Sequence, residues 1–215
     1  CFYWNQASLP AWGNMARHRE LGVAGVALAT AGFVVAIGTA MGSVRMFDGL
    51  GLGAAGRQFF IIPVTQALLF AGFVTAALLN TRNPEVHKRL MLVATVTLLI
   101  VAYGRMFAFF LAPIGVKAPP PVFLTFPPGV LCDLMIVAAM VRGRMTLGHV
   151  HRVYWIALAI CVAVQVIRIP LSGTEAWAAA TVVLMKFARK AAKRGTHTRR
   201  CTPAISTSET RTSIP

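Results

Sequence analysis

Three long apolar runs in this sequence each begin with a histidine that is followed by an arginine or a lysine. The stretches are RHRELGVAG around His18, VHKRLMLVA around His87, and HVHRVYWIA around His149 and His151. Neutral imidazole binds transition metals, and two histidines on facing helices can hold a haem iron. One hypothesis is therefore a membrane redox protein that binds b-type haem or a metal through His18, His87, His149 and His151.

The same histidines also have a simpler interpretation, as residues that mark the surface of a membrane. Each lies beside cationic side chains, which repel a metal cation. The sequence contains no tight ligand pair such as HExxH, and haem ligands usually lie deeper in the apolar zone. We therefore expect no cofactor, and haem b stays as the alternative.

A second group of candidates is polar and lies inside the apolar runs. Counting about 1.5 Å of rise per residue along each predicted helix places all of these candidates in the same half of a bilayer. The members are Gln66, Tyr103, Arg105, Asp133, Gln165 and Arg168. A charged side chain inside the membrane costs roughly a few kcal/mol or more unless it is paired. Such residues therefore usually face the bundle interior and mark function.

This polar layer predicts a pocket in the outer half of the membrane, with Arg105 or Arg168 as the partner of Asp133. The pocket would bind a quinone-like or anionic small molecule, or carry protons. The alternative is that both arginines reach the outer headgroups and that Asp133 makes a packing hydrogen bond.

The elements that must position both groups are transmembrane helices. The chain has 215 residues, of which 57% are hydrophobic and 13% charged, against about 25% charged in soluble domains. A run of about 18 or more apolar residues is long enough to span a bilayer as a helix. The spans are predicted near 21–44, 59–79, 87–111, 128–141 and 151–171. We expect an all-α integral membrane bundle of about five transmembrane helices.

The segments outside these spans are assigned by composition. Residues 1–16 are expected to be a truncated N-terminal segment, 17–190 the transmembrane bundle, and 191–215 a basic, disordered tail. The apolar run 176–187 is too short to span and predicts a short interfacial helix. The first span is rich in glycine and alanine, which favours close approach of helices in lipid.

Charge gives the orientation and limits the partners. The net charge is +15, with only six acidic residues. Cations are concentrated in alternate turns, around Arg17, Arg82 and Arg142, and the positive-inside rule places that side in the cytoplasm. We therefore expect a multi-pass protein of the bacterial cytoplasmic (inner) membrane, with the lipid bilayer as its partner. Because the cations flank apolar runs, nucleic acid is not expected.

The sequence contains no catalytic motif that we recognise: it has no phosphate loop, no GxSxG motif and no catalytic pair of carboxylates. We therefore expect a binding protein rather than an enzyme. An unidentified small molecule, an oligomer or another membrane protein is the expected partner beside lipid.

Three stretches, PEVHKRLMLVATVTLL, LCDLMIVAAMVRGR and HRVYWIALAICVAVQVIRIPLSGTEAW, resemble a family of bacterial multi-spanning proteins whose activity is uncharacterised. That family shows an HRxLG start, an HKRLMLLAT helix, an Asp-containing helix and a closing QxxR...GTxAW segment. The resemblance covers about residues 14–180 and implies a membrane helix bundle with one more helix upstream. The family often has Asp in place of Gln66, which weakens a proton-relay interpretation. A looser similarity exists to cytochrome-oxidase-assembly proteins and cytochrome b561-like bundles.

Overall fold

The computed structural model describes residues 2–111, 113, 115 and 119–200. These residues form eight α-helices and a short 3-10 helix, Val122–Thr125, with no strand among them. The α-helices are α1 (Phe2–Ala11), α2 (Met15–Gly49), α3 (Gly53–Phe59), α4 (Ile61–Leu79), α5 (Pro84–Leu111), α6 (Phe126–Leu147), α7 (Arg152–Ser172) and α8 (Glu175–Arg200).

In the described part of the chain, five stretches of helix are long and apolar enough to cross a membrane, which confirms the predicted all-α bundle. They are Met15–Gly49, Gly53–Leu79, Pro84–Phe110, Val122–Leu147 and Arg152–Ser172. Most of them are longer than the predicted apolar runs, because residues flanking those runs, cationic ones included, continue the helix. Helices satisfy their backbone hydrogen bonds internally, which a segment surrounded by lipid requires.

Short polar residues and glycines define where the helices begin and end. The side chain of Asn83 accepts a hydrogen bond from the Val86 amide, 3.4 Å, and α5 begins at Pro84, as the sequence predicts. α6 is followed by Gly148, whose φ of 75° is readily adopted only by residues without a β-carbon. These two turns reverse the chain at one end of the bundle.

The core lies among α4, α5, α6 and α7. Buried side chains from all four helices meet there, including Phe73, Val93, Ile136 and Ala157. α2 contributes less, because its buried residues are confined to its last third: Ala40, Val44 and Phe47. The four inner helices therefore fix the positions of the polar residues that they carry.

Contacts at the end of α2 secure α3 and the start of α8. Arg57 forms an ion pair with Asp48 at 3.1 Å, and the indole of Trp177 donates a hydrogen bond to the Arg57 carbonyl at 2.9 Å. The Thr174 hydroxyl accepts a hydrogen bond from the Trp177 amide, as expected for the N-terminal cap of α8.

Both ends of the chain differ in part from the prediction. Residues 2–11 are helical, although no element was assigned to them. α8 has 26 residues and is not short, because alanine, lysine and arginine continue it after the apolar part ends. The helix reaches Arg200, beyond the predicted start of the tail, and residues 201–215 lie outside the described residues. By its contacts the chain divides into two units, Cys1–Ala178 and Ala179–Pro215, and the five spans lie in the first.

Candidate functional site

A carboxylate and an amide from neighbouring helices meet inside the bundle. Nε2 of Gln165, on α7, donates a hydrogen bond to Oδ2 of Asp133, on α6, with a separation of 3.0 Å. Gln165 is only 6% exposed. The other carboxylate oxygen, Oδ1, is buried and has no hydrogen-bond partner in the described part of the chain.

Arg168 lies about one turn beyond Gln165 on the same helix and is 2% exposed. None of its three guanidinium nitrogens has a hydrogen-bond partner among the described residues. Arg168 and Asp133 attract one another electrostatically, yet within the described ranges they form no ion pair at 4.0 Å or less. The cation and the carboxylate are therefore both inside the bundle, with donor and acceptor capacity left over.

Gly129 is the residue of this site that the sequence interpretation missed. It lies one turn before Asp133 on α6, and a β-carbon placed there would overlap the side-chain amide of Gln165. The missing side chain thus gives Gln165 the space to reach Asp133. A glycine one helical turn from a buried acid, in an apolar helix, was the available signal.

The other predicted members of the polar layer lie elsewhere. Gln66 is buried and donates from Nε2 to the backbone oxygen of Thr97, so it links α4 to α5. The Tyr103 hydroxyl contacts the Met135 sulfur at 3.5 Å. Arg105 is exposed and makes no hydrogen bond or ion pair within the described residues. The structure therefore brings together Asp133, Gln165 and Arg168 out of the six.

Two of the four candidate histidines meet. The ring centroids of His18, on α2, and His87, on α5, are 6.5 Å apart, and the ring planes are nearly perpendicular. Nδ1 of His18 donates to the Gln6 carbonyl at 3.1 Å, and Nδ1 of His87 donates to the Ala77 carbonyl at 2.8 Å. A neutral ring held in this way keeps the lone pair on Nε2, which is the arrangement of many histidine metal ligands.

His149 and His151 belong to the turn before α7. Nδ1 of His149 donates to the Leu147 carbonyl at 3.0 Å, whereas Nδ1 of His151 accepts a hydrogen bond from the Val153 amide at 3.3 Å and so caps the helix. Burial lowers the pKa of His151 below its ordinary value, and Arg89 adds repulsion. Within the described part of the chain, no group of three or more His, Cys, Asp or Glu residues could hold a metal ion.

The starts of α2, α5 and α7 share one end of the bundle, here called the cation-rich end. The His18–His87 pair joins the first two, and the guanidinium of Arg89 lies 5.9 Å from the ring centre of Tyr154 on α7. Arg89 is also paired with Glu85. Asp133 and Arg168 lie toward the opposite end, since Arg168 is only about 6 Å from the last residue of α7 at 1.5 Å per residue.

Fold and site together define a class: a multi-pass α-helical membrane protein with a buried Asp–Gln–Arg group. Comparisons with models of protein families, with curated proteins and with solved structures find no match to this chain. The functional argument therefore depends on the geometry of the site.

Proposed function

We propose that the protein is a membrane-embedded binding protein, not an enzyme, and that Asp133, Gln165 and Arg168 hold a small polar ligand. The observation that carries this proposal is the Arg168 guanidinium, which is 2% exposed and has no hydrogen-bond partner among the described residues. A buried charge without partners is costly, and intramembrane charges commonly mark ligand or ion sites.

The free atoms at the site define the chemistry of the ligand. Arg168 offers donors only, so the ligand must present acceptor oxygens to it. Oδ1 of Asp133 is a free hydrogen-bond acceptor, so the ligand must also offer a hydrogen-bond donor. Because the carboxylate and the guanidinium together carry no net charge, a neutral molecule balances the site. A hydroxyl group both donates and accepts, and a quinol-type ring with two hydroxyls meets these requirements.

The proposal is tested by thermal unfolding of the detergent-purified protein with a short-chain benzoquinol and, separately, with the corresponding quinone. We expect the quinol to raise Tm in a concentration-dependent way and the quinone to act more weakly, since it cannot donate to Asp133. Arg168→Met should abolish the shift. Arg105→Met removes the same charge from an exposed position and should retain it. Equal loss in both variants, or no shift with either compound, would refute the proposal.

The cation-rich end is proposed to face the cytoplasm of a bacterium, in its cytoplasmic membrane. Support comes from the positive-inside rule and from the alternating cationic turns. The motif order described above supports membership of the family of multi-spanning proteins that the sequence resembles. Single cysteines at Arg82 and Leu52, each introduced into a variant whose four native cysteines are replaced by serine, test the orientation by labelling of intact cells with an impermeant maleimide. Only the second should react.

A second candidate is a redox protein with haem b or a metal between His18 and His87. The specific support is that their rings are 6.5 Å apart and that both Nδ1 atoms are engaged by backbone carbonyls. An optical spectrum and elemental analysis of the purified protein test it. A Soret band, or near-stoichiometric metal, that disappears in His87→Ala and persists in His149→Ala would favour this function. A colourless, metal-free and folded protein would exclude it.

A further inference from the structure

A long cleft runs along α2, between this helix and the rest of the bundle. Its volume is about 2250 Å³, and its walls include α2 from Met15 to Ser43 together with α4, α5 and α6. At 1.5 Å per residue this part of α2 is about 42 Å long, so the cleft extends across the height of the bundle. No residue of the apolar window of α2 is buried.

Small residues make up part of the α2 wall of this cleft, among them Gly22, Gly32 and Ala36. The sequence led us to expect that they allow close helix packing. The structure differs, because β-carbons placed at Gly22 or Gly32 would meet nothing within 4 Å. The missing side chains therefore widen the cleft, and the space beside them is apolar.

The charge of the lining has one sign. Among the residues that the structure describes, six cations line the cleft and no Asp or Glu does: Arg19, Arg82, Lys88, Arg89, Arg105 and Arg142. All of them except Arg105 belong to the cation-rich end. Lys88 and Arg89 are paired with Glu85, which lies outside the lining. The side chains of the arginines at 19, 82 and 142 have no hydrogen bond or ion pair within the described residues.

We propose that this cleft binds an anionic phospholipid of the surrounding bilayer as a specific ligand. Its phosphate contacts Arg19, Arg82 and Arg142 at the cation-rich end, since guanidinium groups bind phosphate oxygens in a bidentate manner. Its acyl chains lie along the small-residue wall of α2. Asp133, Gln165 and Arg168 do not line the cleft, so this proposal is independent of the ligand proposed for them.

The turns at the cation-rich end offer matched pairs for a test. Arg19 and Arg142 line the cleft, whereas Arg17 and Arg144, from the same helical stretches, do not. The double variant Arg19→Gln/Arg142→Gln and its control Arg17→Gln/Arg144→Gln lose the same charge. Lipid binding to the full chain is measured by native mass spectrometry and by thermal unfolding, with phosphatidylglycerol, phosphatidylcholine and inorganic phosphate as separate probes.

We expect phosphatidylglycerol to stabilise the wild type and the control to a similar degree, and phosphatidylcholine to act at least tenfold more weakly. The cleft variant should lose at least tenfold in apparent affinity for phosphatidylglycerol. Inorganic phosphate should give no comparable shift, because it has no acyl chains. Equal loss in both double variants would show a general surface effect, and an equal response to phosphate would show a simple anion site. Either result overturns the proposal.

A second variant keeps the test decisive if the double arginine variant does not fold. Gly32→Leu fills the apolar part of the cleft without any change of charge, and the open space there accepts the new side chain. It should remain folded and lower the stoichiometry of bound phosphatidylglycerol. Gly72→Ala, another glycine with nothing within 4 Å but outside this lining, is the control and should bind as the wild type does. Unchanged stoichiometry in Gly32→Leu would contradict the proposal.

Discussion

Gln165 and Asp133 are joined by a single hydrogen bond of 3.0 Å that links α7 to α6. This bond satisfies one carboxylate oxygen and leaves Oδ1 without a partner in the described part of the chain. Gln165 and Arg168 are buried and Asp133 is partly exposed. The unused donors and acceptors of the site lower the stability of the ligand-free protein and favour ligand binding, which are opposite effects. That opposition can be measured.

The double variant Arg168→Met/Asp133→Asn should stabilise the ligand-free protein. It removes both charges of the site, and replacing both members of a buried charge pair by neutral side chains of similar size is expected to raise the free energy of unfolding by about 1–4 kcal/mol. Arg168→Met alone would leave the Asp133 carboxylate without its countercharge. Denaturant or thermal unfolding in detergent measures the change. Arg105→Met, at an exposed position, should stay within about 0.5 kcal/mol of the wild type. A double variant that is less stable than the wild type would contradict this prediction.

Gly129→Ala should break the Gln165–Asp133 bond without altering either residue. The added methyl group overlaps the Gln165 amide, and an unsatisfied buried carboxylate costs about 1–3 kcal/mol or more. We expect a loss of that size in unfolding free energy, together with loss of benzoquinol binding. Gly104→Ala is the control, since nothing lies within 4 Å of its new β-carbon. If both variants behave alike, Gly129 is not needed for the site.

Gly56→Ala should destabilise the packing of α3 against α2. Its β-carbon would lie 2.7 Å from Cβ of Phe47, a buried residue of α2, and overpacking of this kind costs about 1–3 kcal/mol. Gly72→Ala lies in the middle of α4 with open space around it. It should raise the free energy of unfolding slightly, by up to about 1 kcal/mol. The two unfolding curves, measured in the same detergent, decide the matter.

Acid should weaken the start of α7. The pKa of His151 is lower in the folded protein than the ordinary value of 6.5, first because burial disfavours the charged ring and next because Arg89 repels it. The folded state therefore binds fewer protons than the unfolded state, so stability falls as the pH drops below about 6.5 toward the lowered pKa. The hydrogen bond from the Val153 amide requires an unprotonated Nδ1 and is lost on protonation.

His151→Asn separates this effect from other titrations. Asparagine is a good N-cap that does not titrate, so this variant should retain the helix start and show a smaller loss of Tm between pH 7 and pH 5. His149→Asn is the control, because the His149 side chain bonds to the Leu147 carbonyl and caps no helix within the described ranges. Identical pH profiles for the wild type and His151→Asn would contradict the assignment.

The spans could be predicted from the sequence because bilayer thickness imposes a length on every apolar run. Heights along the helices could be estimated as well, and this placed Asp133 and Gln165 in the same half of the bilayer. Height does not define the direction in which a side chain points. Gln66 is turned toward Thr97, and Arg105 is exposed, because packing between helices sets that rotation and leaves little trace in one sequence.

The histidines illustrate the same limit. Alternating topology predicted that all of them belong to one end of the bundle. Which of them meet depends on how the helices pack: His18 and His87 come together, while His151 caps its own helix. His149 and His151 lie two residues apart in the chain. A turn conformation, fixed in part by Gly148 with its positive φ, gives them separate backbone partners.

The buried residues of α2 lie near one of its ends. The helix is therefore anchored at that end, and a change of its tilt moves the opposite end most. The length of α2 from Val44 to His18 is about 39 Å at 1.5 Å per residue. A tilt of about 5° around the buried end of α2 would displace the His18 ring by about 3 Å over this distance. The core around Ile136 would hardly move. The separation of His18 from His87 is therefore a sensitive gauge of the tilt of α2, and spin labels at these two positions would report that tilt directly.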